Sequence, residues 1–310
     1  MERVEEAPIF FIVGKGRSGT TLLQLMLDAH PNIICPTEAR FVLELYQKYH
    51  GKNHWQEEDI LEFIEDLKID WRLNFWRINW EELKSALLNT LPSPTFSLLC
   101  KIVYLHYATW YPKDQINLIG DNHPFYTLFL NEISAVFPQA KFIHLVRDYR
   151  DNILSHQKAF KVKDAAFLAW KWRHYNELVE EHKKDHPYLT IRYEDFVASP
   201  EESLRKICEF IGIPFHPNML NYGQTEDLLN PELQTFLKQV HPNLGKQVNT
   251  ASVGKWKKEM PEKDLAIVEN ICGELGKTYR YDTSQNTTAG AGIAVTKARL
   301  KYFLWVKQKK

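Results

Sequence analysis

The chain has 310 residues, 44 % hydrophobic and 13 % aromatic, enough to bury the core of one α/β domain or of two small ones. Lysine plus arginine and aspartate plus glutamate each number 39, so the net charge is +0. That balance excludes a global basic footprint for nucleic acid, and any anion site must be built locally from a few placed groups. Cysteines at 35, 100, 208 and 272 have neither CxxC nor metal-ligand spacing. They are expected to be buried thiols of a cytoplasmic protein that needs no metal. The early apolar run Ala7–Val13 is too short to span a membrane. The acidic start before it lacks the positive charge a signal peptide carries.

In chain order, PIFFIVG is a continuous apolar run ended by glycine, as expected of a buried parallel strand. A Gly-rich loop follows, then a helix from Thr20 to His30 that Pro31 stops. NIICP predicts a second short strand, and EARFVLELYQKY the helix after it. Residues from about 50 to 116 predict a helical insertion rich in aromatics, Trp71 and Phe75 among them. Core packing accounts for most of these rings, and a few are expected to line a pocket. INLIGD (116–121) predicts a third strand, with a helix over about 125–137 after it. KFIHLVRD (141–148) is the strongest strand signal after the first, and helices are expected over about 149–160 and 164–185. YLTIRYEDF predicts a strand with a turn. The helix SPEESLRKICEFIG has Ser199 as cap, Pro200 at its first position and Gly212 as its stop. Residues 213–255 are loop-rich, and PEKDLAIVENICGELGKTYRYD gives a late helix. The pattern predicts a three-layer α/β fold, a central parallel sheet with helices on both faces. Residues 1–284 form this domain, and 285–310 are a small polar hinge, SQNTTAGAG, leading to a basic tail. Ligands in such sheets bind beyond the carboxyl ends of the strands.

After the first strand stands Gly14-Lys15-Gly16-Arg17-Ser18-Gly19-Thr20-Thr21, and then a helix. Glycines let the backbone curl with its N–H groups inward, and the helix N-terminus stabilises an anion by roughly 0.3–1 kcal/mol. Thr20 and Thr21 add hydroxyl donors, and Arg17 can reach the same oxygens. Gly14 and Gly19 have Walker A spacing, but Thr20 stands where the lysine should be and the cation has moved to Arg17. No apolar strand ends in a clear magnesium-binding aspartate. The loop suits a phosphate and poorly suits Mg-ATP hydrolysis. GKGRSGTTLL resembles the 5′-phosphosulfate loop of sulfotransferases that use 3′-phosphoadenosine-5′-phosphosulfate (PAPS), closest to the branch of bacterial and tyrosylprotein sulfotransferases. The resemblance runs in islands from about residue 8 to 280 and implies a P-loop-NTPase-like fold. It also implies PAPS as co-substrate, 3′-phosphoadenosine-5′-phosphate (PAP) as product, and sulfuryl transfer to a hydroxyl or amine.

The resemblance assigns donor binding to Lys15, Gly16, Arg17, Ser18, Gly19, Thr20 and Thr21. LVRDYRDNILSHQKAF is similar to the family's 3′-phosphate motif, with Arg147 after the strand and Ser155 on the helix. Tyr193, in a Tyr-Glu-Asp turn, is implied to lie near the adenine, and Lys255 of VGKWKKEMP to approach the nucleotide. Thr37-Glu38-Ala39-Arg40 resembles the Glu-x-Arg of the tyrosylprotein branch. That implies Glu38 as the base and Arg40 as a substrate contact. One departure stands out. Where many members have a lysine after the third strand, this chain has Asn122 and then His123. Losing one such donor typically costs ~10²–10³ in rate. Asn122 keeps a hydrogen bond, His123 takes a catalytic role as a second choice of base, or Lys15 compensates. The remaining histidines, His156 among them, are scattered and expected to be surface or satisfied core groups. The acceptor, whether glycan, lipid, peptide or small alcohol, is open, as is the oligomeric state. The tail TKARLKYFLWVKQKK carries six basic residues and no acid. It predicts a surface helix that packs on the domain or touches an anionic membrane. A P-loop kinase and a non-catalytic PAPS-binding protein are the alternatives.

Overall fold

The structure, a computed structural model, describes residues 2–228, 248–283 and 292–308. Most of the polar hinge, residues 284–291, lies outside the described residues, as do 229–247 of the loop-rich stretch.

The first third runs α1 (Glu2–Glu5), β1 (Ile9–Val13), α2 (Thr20–Asp28), β2 (Ile33–Ile34), α3 (Phe41–Tyr49) and α4 (Glu57–Ile69). A 3-10 turn (Trp71–Trp76), α5 (Trp80–Leu88), α6 (Phe96–Leu105), β3 (Leu118–Asn122), a second 3-10 turn (Pro124–Leu128) and α7 (Leu130–Val136) follow. Then come β4 (Lys141–Val146), α8 (Tyr149–Phe160), α9 (Ala165–His182), β5 (Tyr188–Arg192), α10 (Tyr193–Ala198) and α11 (Pro200–Ile211). A 3-10 segment (Pro217–Leu228), α12 (Trp256–Glu259), α13 (Glu262–Thr278) and α14 (Gly292–Lys307) complete the described chain.

The five strands form one parallel sheet in the order β2-β3-β1-β4-β5. All five residues of β1 are buried, as its unbroken apolar run requires of a strand covered on both faces. Phe11 and Val13 point into a core shared with α3 to α7, while Phe10 and Ile12 point into a core shared with α2, α10 and α11. A third core joins α8, α9, α13 and α14. All four cysteines are buried and free, as expected. The register pairs Ile12 with Asn122, Val13 with His144 and Val146 with Arg192. It therefore gathers the loops after the strands at one sheet edge.

Three local expectations are corrected. The helix foreseen over 125–137 breaks at Phe129 (φ −136°, ψ 35°), leaving a 3-10 turn and α7. The 3-10 turn is held by long-range contacts that outweigh local propensity: the Gly14 N–H donates to Thr127 Oγ1 at 2.9 Å, and the Thr127 hydroxyl contacts Gly14 O at 3.3 Å. The turn expected at Tyr193 is the start of α10, whose first-turn Glu194 and Asp195 suit the helix dipole. Ser199 occupies the N-cap of α11 but makes no side-chain cap bond, whereas Pro200 and Gly212 (φ 86°) sit where the sequence places them.

Candidate active site

The loop after β1 can only be built with glycines at two points. Gly14 has φ 138°, and a Cβ there would lie 2.5 Å from Leu145 O; Gly19 has φ 94°, and a Cβ would lie 2.6 Å from the Tyr193 ring. Arg17 also adopts positive φ, 75°. Such left-handed conformations cost free energy in a non-glycine residue and persist where surroundings enforce them. Here the surroundings are α8 and the end of β4. Asn152 Nδ2 donates to Gly16 O and to Ser18 Oγ, both at 3.1 Å, and Arg147 donates to Arg17 O at 3.0 Å. With α2 starting at Thr20, the loop and helix N-terminus form a fixed cradle for an anion.

The structure joins the second group of residues to this cradle. Arg17 Nε donates to Ser155 Oγ at 3.3 Å, and the Arg147 guanidinium lies 4.5 Å from the Tyr193 ring centroid. Arg147 also donates to Ser252 O at 2.7 Å, while Asp151 accepts from the N–H groups of Gly254 and Trp256 at 2.6 and 2.9 Å. The segment carrying Lys255 is thus pinned beside Arg147, with Lys255 itself exposed. Arg147 Nε is buried without a partner among the described residues.

On its other side the loop opens into a cavity of about 470 Å³. Lys15, Arg17, Thr20 and Thr21 form one wall, Glu38, Arg40, Asn122 and His123 another. Four aromatic rings line the cavity as well, Trp71, Phe75, Phe125 and Phe160, and the half exposure of Trp71 and Phe160 marks its mouth. Arg40 stacks over Phe125 at 4.5 Å and Arg72 over Trp71 at 5.0 Å.

Charges in this cavity are poised by burial. Glu38 is half-buried, touching solvent only in part. Desolvation pushes its carboxyl up to about 7, against the pull of Arg72, Arg40 and Arg17. Behind it Asp121, fully buried, is also raised to about 7 by desolvation, opposed by the hydroxyl of Tyr104 that it accepts from and reinforced by the charge of Glu38. Lys15 is 2 % exposed, and its Nζ lies 3.4 Å from His156 Nδ1. Desolvation, then the cations Lys171 and Arg17, hold Lys15 well below the ordinary lysine range. Desolvation, with Lys15, Lys171 and Arg17, drives His156 down to about 2.

Asn122 is 1 % exposed, and both its side-chain polar atoms are buried without partners among the described residues. Such orphans are rare and ask for an explanation, often an unseen ligand or water. His123 stacks on Tyr126 with centroids 5.1 Å apart. The Phe125 N–H approaches its Nδ1 at 3.2 Å and Arg40 Nε its Nε2 at 3.3 Å. A neutral imidazole accepts at one nitrogen only, so these two donors compete for it. Desolvation and the Arg40 and Arg72 cations keep the ring neutral, well below its usual range.

Sequence reasoning missed four contributors. Asn152 lies three residues before Ser155, the helical spacing that could have shown it. His156, expected to be an ordinary surface or core group, instead lines the cavity beside Lys15. Lys171 and Arg72 line it from α9 and the first 3-10 turn, and no local pattern marks them.

A three-layer parallel α/β fold with a Gly-rich loop and helix N-terminus after its first strand defines a P-loop-like architecture. Residues 8–217 match the model described as the sulfotransferase family, and the chain belongs to that family. It is 26 % identical over 293 residues to a protein-tyrosine sulfotransferase of Drosophila melanogaster, covering 91 % of this chain and 53 % of that protein. The chain thus spans about half the length of that relative. It is 27 % identical to protein-tyrosine sulfotransferase 1 of Danio rerio over 91 % of this chain and 74 % of that one. The same fold occurs in the sulfotransferase domain of the Synechococcus PCC 7002 olefin synthase. That match has a TM-score of 0.58 and 23 % identity and covers 89 % of this chain and 96 % of that one.

Proposed function

We propose that this sulfotransferase moves the sulfuryl group of PAPS to the phenolic hydroxyl of a tyrosine. The observation that carries the donor assignment is the joining of two anion sites: the Arg17–Ser155 contact links the loop cradle to Arg147 and Tyr193. The residues present fit the donor. The close approach of Gly14 to β4 and of Gly19 to the Tyr193 ring admits no side chain and so fixes the cradle's curl, and Arg147 Nε and Asn122 are buried polar groups without partners among the described residues. The loop N–H groups, Thr20, Thr21 and Arg17 hold the 5′ end, Arg147 and Ser155 the 3′-phosphate, and Tyr193 and the Lys255 segment flank the adenosine. A 3′-phosphate is what separates PAPS from ATP.

The donor supplies a sulfuryl group on a phosphate leaving group; the protein supplies position, a proton acceptor and charge. Glu38 takes the proton of the attacking hydroxyl while the new S–O bond forms and the bond to the phosphate breaks. A carboxyl raised to about 7 is better matched to that proton transfer than an ordinary one. A neutral His123 has a single accepting nitrogen, which the Phe125 N–H or Arg40 takes up, so it serves the reaction by holding one of these donors rather than as the base. Arg17 and Lys15 stabilise charge on the leaving phosphate. Asn122 donates one hydrogen bond where many relatives have a lysine.

The tyrosine assignment rests on the names of the relatives and on the mouth of the cavity. Aromatic rings at Trp71, Phe75 and Phe125, with Arg40 and Arg72 stacked among them, suit a phenol on an acidic peptide. A thermal-shift panel of PAP, AMP and ATP-Mg tests the donor. PAP is expected to stabilise most, and preference for ATP-Mg would overturn the reading in favour of a kinase. If PAP binds but no acceptor is sulfated until Asn122→Lys is introduced, the protein is a binding module.

A further inference from the structure

α14 docks on α9 through one face. Tyr302 is fully buried, Ala298 and Val306 nearly so, Trp305 packs 4.3 Å from the Lys171 ammonium, and Lys301 pairs with Asp164 at 2.9 Å. Leu300, 64 % exposed, and Leu304, 54 % exposed, stand one turn apart on the opposite face, and Phe303, 37 % exposed, flanks them while its ring packs 5.7 Å from that of His174 on α9. They are among the few large hydrophobic side chains left exposed on the described molecule.

The charge of the helix itself has one sign, with Asp164 at the start of α9 pairing Lys301. Residues 292–308 include Lys297, Arg299, Lys301 and Lys307 and no acid, although the whole chain is neutral. Lys297, Arg299 and Lys307 are exposed. No described helix is long and apolar enough to cross a membrane. A helix with an outward apolar ridge, flanking bases and insufficient length to span fits the headgroup boundary of an anionic bilayer. A protein groove would also take the ridge, but the exposed bases Lys297, Arg299 and Lys307 around Leu300 and Leu304 are complementary to a continuous negative surface.

The geometry points to α14 as a membrane-surface helix that sets Leu300 and Leu304, with the exposed edge of Phe303, into an anionic phospholipid bilayer. Its docking also relates that surface to the active site. Asp164, which holds Lys301, lies four residues past Phe160, a half-exposed ring of the cavity mouth, and Lys171, which holds Trp305, lines the cavity.

Co-sedimentation of the full chain with phosphatidylcholine vesicles, with and without phosphatidylserine, tests this. Binding is expected only with phosphatidylserine, weakening as salt is added. The double variant Leu300→Ser/Leu304→Ser should lose at least tenfold in binding, and so should Lys297→Gln/Lys307→Gln. Both pairs are exposed, so melting temperature and PAP binding should stay at wild-type values. Absence of binding to phosphatidylserine vesicles overturns the proposal, as does equal binding by the Leu300→Ser/Leu304→Ser variant. So does concentration-dependent self-association that the leucine changes abolish, which would assign the ridge to a second copy of the chain.

Discussion

Glu38 and Lys15 show how the same burial can serve opposite ends of one reaction. Desolvation raises the carboxyl to about 7, so the base is ionised only above that pH. The kcat/KM of the wild type should therefore rise with pH through about 7 and level off. Glu38→Gln should lower kcat by ~10²–10⁴-fold while PAP affinity changes only a few-fold; an unchanged kcat would remove Glu38 from the chemistry. Lys15 and His156 are held toward their neutral forms by desolvation and by neighbouring cations. A bound anion reverses that bias, raises both groups and draws in protons. By linkage, PAP should bind more tightly as pH falls. Calorimetry in buffers of different ionisation enthalpy should detect proton uptake on PAP binding, reduced in Lys15→Met; uptake identical in wild type and variant would contradict this.

The loop-to-helix element is the part of the site most legible in the sequence. Its glycines, the strand before it and the helix after it are contiguous, so local pattern suffices. Gly19 illustrates why: its φ of 94° and its contact with Tyr193 leave no room for a side chain. Gly19→Ala should destabilise the fold by more than about 1 kcal/mol and weaken PAP binding by at least tenfold, measured by thermal melting and titration. The break at Phe129 was not legible, because the bonds between Thr127 and Gly14 that hold the preceding 3-10 turn span 113 residues. Asn152 falls between the two cases. It shares a helix face with Ser155, but its targets, Gly16 O and Ser18 Oγ, belong to a loop more than 130 residues away. Arg147→Ala should abolish the preference for PAP over AMP and leave AMP binding within a few-fold. Equal loss for both nucleotides would move the 3′-phosphate elsewhere.

At the scale of the molecule, alternating strands and helices give the layers, but not the order β2-β3-β1-β4-β5. That order sets β1 between β3 and β4, and so places the anion loop between Asn122 and Arg147. The cavity itself was not legible. Its wall combines Arg72 from the first 3-10 turn, His156 from α8 and Lys171 from α9, which have no common sequence pattern. The neutral net charge agrees with this architecture: the anion site is local, built from Lys15, Arg17, Arg40 and Arg147 rather than from a basic surface. The most direct measurement is transfer of the label from sulfur-labelled PAPS to a tyrosine peptide with acidic flanks, with PAP formation followed in parallel. The account predicts label on the tyrosine oxygen with one PAP per sulfate, lost in Glu38→Gln. PAP-insensitive turnover of ATP-Mg by the wild type, with no label transferred to this or any other acceptor, would contradict it.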